Sequence, residues 1–460
     1  MRSIRKPAAA AAAALVLTGL AACSSSGSGG EQPTTPDGKT AISVVSLKPG
    51  SEQAAFDAFD DQVRQFEALH PDITVTTQEY EWTGPTFTAQ LAGGTLPTVF
   101  TVPFTDGAAL VDRGQLADIT EPFSSFGYVD KFNKAILATG QGKDGHIYGV
   151  PTEAYGVGLQ YNRALFQQAG LDPDKPPTTW DEVRADAKQI ADRTGQAGYA
   201  QMTQENTGGW MLTTMTEALG GRMQVVNGDK VEATIDDPAA KEALTRLHQM
   251  RWDDKSMGEN ILFNWTGINQ DFAAGKIGMY MGGSDVYTSL KQQNNIDPNA
   301  YGLAVLPLAP GADAGVLGGG TLAAVNVKAT PEQQKAAAEW IDFYYLGKFV
   351  RQDAAVQDAK TLADGGQPVG VPKLPIFDKT TLDQYDNWIQ PYVNVPLAQM
   401  SSFTKGIFDQ KLAGEPPAQA QEMYAVLDTV VQAVLSDPNA NVDQLLGQAD
   451  GDVQTIIDRG

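Results

Sequence analysis

Ala41-Ile42-Ser43-Val44-Val45-Ser46-Leu47 is an apolar run of strand length, and the residues after it set the architecture. Ala54 to Leu69 carries Phe56, Phe59, Val63, Phe66 and Leu69 at helical spacing, which gives that segment one apolar face. His70-Pro71-Asp72 ends it, and Ile73-Thr74-Val75-Thr76-Thr77 alternates as a strand. The rhythm repeats: Phe87 to Ala92 reads as a helix stopped by Gly93-Gly94, Thr98 to Val102 as a short strand, and Ala108 to Gln115 as a helix ending near Gly114. This order predicts an α/β fold with a parallel or mixed sheet and helices on both faces. Further helices are expected over Thr179–Arg193, Pro238–Trp252, Pro331–Leu346 and Ala418–Leu435. Thr179 stands as a cap there, ahead of Asp181 and Glu182 in the first turn.

Toward the N-terminus the composition changes. A basic start (Arg2, Arg5, Lys6), a short Ala/Leu/Val stretch and small residues before Cys23 are the marks of a secretory leader over 1–22. The apolar part is shorter than the roughly 20 residues a spanning helix needs. Leu20-Ala21-Ala22-Cys23 resembles the lipobox of bacterial lipoproteins, which implies that Cys23, the only cysteine, is lipidated and becomes the mature N-terminus. Residues 23–40 are Ser/Gly-rich and then Pro/Thr/Asp-rich, and they cannot bury enough apolar surface to offset ordering. A flexible tether reaching roughly 20–25 Å is expected there.

With 460 residues the chain exceeds one core, so two or more lobes are expected. A single cysteine excludes internal disulfides, and three histidines make thiolate or imidazole metal sites improbable, so no metal and no cofactor is expected. The formal charge of −22 repels phosphate backbones and argues against nucleic-acid partners.

Catalytic patterns are thin. The folded body has no H-E-x-x-H, no G-x-x-x-x-G-K-[ST], no G-x-S-x-G elbow and no cysteine nucleophile. Gly315, Gly318, Gly319 and Gly320 form a cluster, but Leu322 to Val327 after it is strand-like, where a phosphate cradle would want a helix. The cluster reads as a flexible crossover where backbone approaches a ligand or hinge. Asp437-x-Asn439-x-Asn441-x-Asp443 imitates the start of a calcium loop but lacks its later Gly and Glu, so a turn capping a helix is expected.

His146-Ile147-Tyr148-Gly149-Val150-Pro151-Thr152-Glu153-Ala154-Tyr155-Gly156-Val157-Gly158-Leu159-Gln160-Tyr161-Asn162-Arg163, with Pro176-Pro177-Thr178-Thr179-Trp180-Asp181-Glu182 after it, closely resembles a signature of bacterial extracellular solute-binding proteins. Within them it is similar to family 1, the maltose-binding-protein-like sugar receptors of ABC importers. Leu96-Pro97-Thr98-Val99-Phe100, Gly114 to Thr120, Phe272 to Gly283 and Tyr301 to Pro307 fit the same pattern, so the resemblance runs over about residues 41–435. It implies a two-lobed periplasmic-binding-protein-like fold with discontinuous lobes: 41–152 plus about 322–372, and 153–321 plus about 373–460. Crossovers would lie near Thr152–Glu153, near Gly318–Leu322 and after Pro372, with ligand in the cleft and closure by hinge bending.

The implied function is that of a monomeric, non-enzymatic receptor. It would be lipid-anchored on the extracytoplasmic face of the cell membrane, would capture a small carbohydrate and would deliver it to ABC permease subunits. A polyamine or glycerol phosphate ligand, or an exported carbohydrate-active enzyme, are the alternatives. A sugar offers apolar faces to aromatic rings and hydroxyls to carboxylates. Loops after strands then give the candidates Glu81, Trp82, Asp106 and Asp285. The resemblance adds Tyr155, Glu205, Trp210, Gly319, Trp388 and Tyr392. Thr207 stands where relatives carry a second aromatic contact, and Asp285 where they often carry an aromatic platform, which implies less stacking and more hydroxyl pairing.

Overall fold

The computed structural model describes residues 33–227, 230–311 and 313–459. The leader, Cys23 and most of the tether lie outside them. The last part of the expected tether is ordered: Thr35 N donates to Lys39 O at 2.9 Å and Ala41 N to Pro33 O at 3.1 Å, so Pro33 to Lys39 turns back onto the first strand.

Among the described residues eleven strands follow in chain order: β1 Thr40–Val45, β2 Ile73–Gln78, β3 Val99–Pro103, β4 Gly149–Asn162, β5 Ala197–Tyr199, β6 Gln224–Asn227, β7 Lys230–Ala233, β8 Ile277–Gly283, β9 Tyr301–Val305, β10 Val316–Val325 and β11 Leu412–Ala413. The main sheet runs β2-β1-β3-β10-β4-β8-β5, with β9 on β4 and β11 on β10. Its first three strands are parallel, as a strand–helix–strand rhythm requires, and β10 enters antiparallel, so the sheet is mixed.

Two strands make the structure bilobed. The first half of β4 pairs with β10 in the lobe of β1–β3, and its second half, from Val157, pairs with β8 and β9 in the other lobe. β10 runs the opposite way, from β11 to β3. The chain at Leu374 joins them, its N–H donating to Ala154 O at 2.9 Å. The fold is thus a mixed α/β architecture of two lobes assembled from discontinuous segments.

Several elements differ in detail from the expectation. The helix expected from Ala108 starts at Phe104, straight off β3. The helices begun at Pro238 and Pro331 each finish in a wider π turn, at Gln249–Asp253 and Asp342–Leu346. The Thr179 cap is a full capping box with Glu182. Asn441 accepts from Gln444 N at 3.1 Å, the cap expected at the calcium-like loop. Among the described residues no helix is long and apolar enough to cross a membrane.

The glycine cluster lies on a crossing strand that is built into the sheet, in place of the expected flexible segment. Gly318, Gly319 and Gly320 lie inside β10, paired with Gly156, Tyr155 and Ala154. A Cβ on Gly319 would lie 2.7 Å from the Tyr155 hydroxyl. One on Gly320 would lie 2.3 Å from the Phe104 ring and 2.4 Å from Glu153 O. Close packing of strand on ring is what requires glycine here.

Candidate functional site

A cavity of about 420 Å³ lies between the lobes. Its first wall is built by the ends of β1, β2 and β3, the usual ligand edge of a parallel sheet. β1 and β2 stay paired past their ends, Ser46 N donating to Gln78 O at 2.8 Å and Tyr80 N to Leu47 O at 3.0 Å. Lys48 and Glu81 therefore leave the sheet side by side, with Nζ and Oε1 3.7 Å apart. Because β3 runs directly into a helix, Thr105 faces the cavity in the first turn.

The crossing strands form the floor. The register of β4 against β10 slips between Thr321 and Leu322, a bulge that locally re-aims β4. Glu153 lies there and pairs with Lys373 from the third crossing segment, Nζ to Oε1 2.7 Å. Two residues on, Tyr155 meets Trp210 edge-to-face, with centroids 6.1 Å apart at 79°.

The second wall comes from the other lobe. Glu205 and Asn206 take consecutive positive φ angles, 57° and 71°, uncommon for residues with a Cβ. Asp428 holds this turn, accepting from Asn206 N and Gly209 N at 2.8 Å each. The turn leads into the helix Thr207–Ala218, which carries Trp210. Asp285 follows β8, and Trp265 starts the helix Trp265–Ala273 with Lys48 Nζ 5.3 Å from its ring centroid.

The lobes touch around this cavity. Thr266 Oγ1 donates to Glu81 Oε1 at 3.3 Å. Gln421 Nε2 donates to Thr105 Oγ1 at 2.8 Å while its Oε1 accepts from Asn206 Nδ2 at 3.0 Å. A backbone bond, Glu52 N to Gln292 O at 2.8 Å, closes a third side.

Of the residues expected at the site, Glu81, Trp82, Tyr155, Glu205, Trp210 and Asp285 line the cavity together. Four do not. Asp106 sits behind the wall, where burial pushes it up to about 6 against the partly offsetting Trp82 indole. Gly319 is covered by the Tyr155 ring, and its neighbour Gly320 reaches the cavity instead. Trp388 and Tyr392 pack on a separate small core of Ala355, Ala359, Val369 and Ile389, where their rings bury apolar surface. Sequence reasoning missed Lys373, Trp265, Gln421 and Glu415. Trp265 supplies an aromatic surface that Thr207 does not, from a segment no motif marked.

The cleft is electrostatically crowded. Asp285 is pushed up to about 7 by burial and then by Glu153, against the pull of Lys373 and Lys48. Glu415 is pushed up to about 7 by burial, although the Tyr424 hydroxyl donates to it. Glu217, buried in the helix that carries Trp210, is pushed up to about 8 by burial. Each raised carboxyl binds its proton more tightly folded than unfolded. Its contribution to stability is therefore complete below about pH 4, the ordinary carboxyl range, and is lost as pH rises through about 7 to 8. The ligand-free protein should melt several degrees lower at pH 8 than at pH 5.5, and Asp285→Asn should flatten that slope. A melting point that rises across this window would contradict the assignment.

Comparison with known proteins places this architecture. The sequence profile described as bacterial extracellular solute-binding protein matches residues 61–359, well over half of the chain. The chain belongs to this family. The family's description is that of a solute-binding protein, which is consistent with a non-enzymatic receptor. A binding protein of Brucella abortus (strain 2308) is 26% identical over 269 residues, 56% of this chain. The match covers 62% of that relative's length, less than two thirds of it. Among solved structures, a Thermotoga lettingae solute-binding protein bound with α-D-tagatose has a TM-score of 0.72 at 19% identity, covering 91% of this chain and 99% of that one. The cyclic α-maltosyl-1,6-maltose binding protein of Arthrobacter globiformis has a TM-score of 0.65 at 23% identity, covering 92% of this chain and 100% of its own. At these identities the likeness establishes the fold. The protein is thus a bacterial extracellular solute-binding protein by family, and it shares its fold with the tagatose-bound and maltosyl-maltose-binding proteins.

Proposed function

We propose that this protein is a receptor of an ABC importer that captures a mono- or oligosaccharide between its lobes and delivers it to membrane permease subunits. The observation that carries this reading is the cavity itself, where aromatic and hydrogen-bonding side chains from both lobes converge. Trp82, Tyr155, Trp210 and Trp265 can meet apolar sugar faces, and Glu81, Glu205 and Asp285 can accept from hydroxyls. Both cleft lysines are paired with carboxylates, which supports a polyhydroxyl ligand over glycerol phosphate. The named ligands of the Thermotoga and Arthrobacter proteins point the same way.

On this reading the sugar-receptor branch (family 1), the lobe limits (41–152 plus about 322–372; 153–321 plus about 373–460) and the lipid anchor at Cys23 go together. Two acyl chains hold the receptor at the extracytoplasmic face of the cell membrane, and the tether raises its local concentration at the permease without fixing orientation.

A thermal-shift screen of the mature protein against mono- and oligosaccharides tests the reading, since binding to the native state raises the melting point. Trp210→Ala should weaken the best sugar about 10- to 100-fold, the loss expected from removing one aromatic burial surface of roughly 1.5–3 kcal/mol. A panel in which no sugar shifts the melting point, or an unchanged affinity in Trp210→Ala, would end the proposal.

A further inference from the structure

The charges that line the cavity do not balance. Lys48 and Lys373 are the cations on its wall, and they are engaged with Glu81 and Glu153. Glu205, Asp285 and Glu415 remain, three carboxyl groups in excess of the lysines. Burial leaves Asp285 and Glu415 partly protonated in the ligand-free cleft, and a bound ammonium would draw them to the charged form. Two of the three have a neutral donor: Asn264 Nδ2 donates to Glu205 Oε1 at 3.1 Å, and the Tyr424 hydroxyl donates to Glu415. Asp285 has none, and its Oδ1 is buried without a hydrogen-bond partner among the described residues. A buried carboxylate oxygen left unpaired is costly, and the cost falls when a donor, above all a charged one, meets the group.

The excess charge lies in the same cavity as aromatic side chains. Tyr155 and Trp210 meet edge to face, and Glu415 and Tyr424 line the cavity with them. An ammonium gains from an aromatic face as well as from a carboxylate, and this cavity already uses that pairing, at Lys48 over Trp265. A neutral polyol supplies hydroxyl donors but leaves the net charge of the cleft where it was.

Building on the carbohydrate reading above, we propose that the cleft selects a sugar bearing a protonated amino group, with the ammonium seated against Asp285 and the Glu415 side of the cavity. Aromatic side chains then serve the ring and the carboxylate excess serves the nitrogen.

Matched pairs test this by isothermal titration at pH 7 on the mature protein: glucose with glucosamine, galactose with galactosamine, and cellobiose with the disaccharide of chitosan, plus spermidine. In at least one pair the amino sugar should bind ten times or more as tightly as its neutral partner. Asp285→Asn should cut that ratio to about threefold or less, with folding checked by circular dichroism. Glu415→Gln should also reduce the ratio, which keeps the test open if the first variant fails to fold. Equal binding within every pair that binds, or an amine preference intact in both variants, overturns the proposal. Binding of spermidine with no sugar of either kind would sink the carbohydrate reading and leave the cation preference standing. No binding by any of these probes would remove both.

Discussion

Gly320→Ala should cost on the order of 3 kcal/mol of stability, the upper part of the range for overpacking a closed site. Its neighbour Gly318→Ala should cost almost nothing. The three glycines are consecutive in β10, yet their surroundings differ. A Cβ on Gly318 finds its nearest atoms at 3.7 to 3.8 Å, ordinary contact distance. On Gly320 it would stand 2.3 Å from the Phe104 ring and 2.4 Å from a backbone carbonyl of β4. The Phe104 ring is itself buried, and Glu153 O belongs to a paired strand. β10 must therefore shift against β4 and the helix that Phe104 starts. For lobes of this size the shift is roughly 5–10 °C in melting temperature. Ligand affinity should fall with it, because Glu153 and Tyr155 ride on the displaced strand. Calorimetric melting of both variants checks this. Equal melting points for Gly318→Ala and Gly320→Ala would show that the strand junction has slack the packing does not reveal.

Much of the fold was legible because its cause is local. The alternation of apolar strands with helices of one apolar face over 41–115 forces a parallel start to the sheet, and the Thr179–Glu182 capping box is written in four residues. The glycine cluster was read correctly as a place of close backbone approach but as a flexible segment in place of a paired strand, since the demand for glycine comes from Tyr155 and Phe104, far away in sequence. The site divides in the same way. Glu81 and Trp82 follow strands and could be placed by position alone. Lys373 reaches the cavity because three crossing segments meet at Ala154, and Gln421 because its helix packs under the turn at Asn206. Nothing in their neighbours signals this. Trp388 and Tyr392 show the reverse error: aromatic residues near a crossover serve a small core of their own.

The turn at Glu205–Asn206 makes the second strong prediction. Two consecutive non-glycine residues with positive φ carry roughly 1–3 kcal/mol of strain each, which persists only if neighbours over-determine it. Asp428 is that neighbour. Its two oxygens accept from the N–H groups of Asn206 and Gly209, so one carboxylate fixes both the turn and the start of the helix that carries Trp210. Removing it deletes two charge-assisted hydrogen bonds worth roughly 1.5–3 kcal/mol each, and it leaves two N–H groups near a buried helix start without partners. Asp428→Ala should therefore lose roughly 3–5 kcal/mol of stability. It should also weaken the best ligand about 100-fold, because Glu205, Asn206 and Trp210 lose their common support. Glu205→Gly provides the contrast. Glycine accepts φ of 57° without strain, so stability should stay within about 1 kcal/mol while the ligand loses one carboxylate contact. Urea unfolding and titration of the same ligand on both variants separate the two effects. If Asp428→Ala kept wild-type affinity, the turn would not depend on that carboxylate, and the placement of Glu205 and Trp210 as one ligand-facing unit would fall.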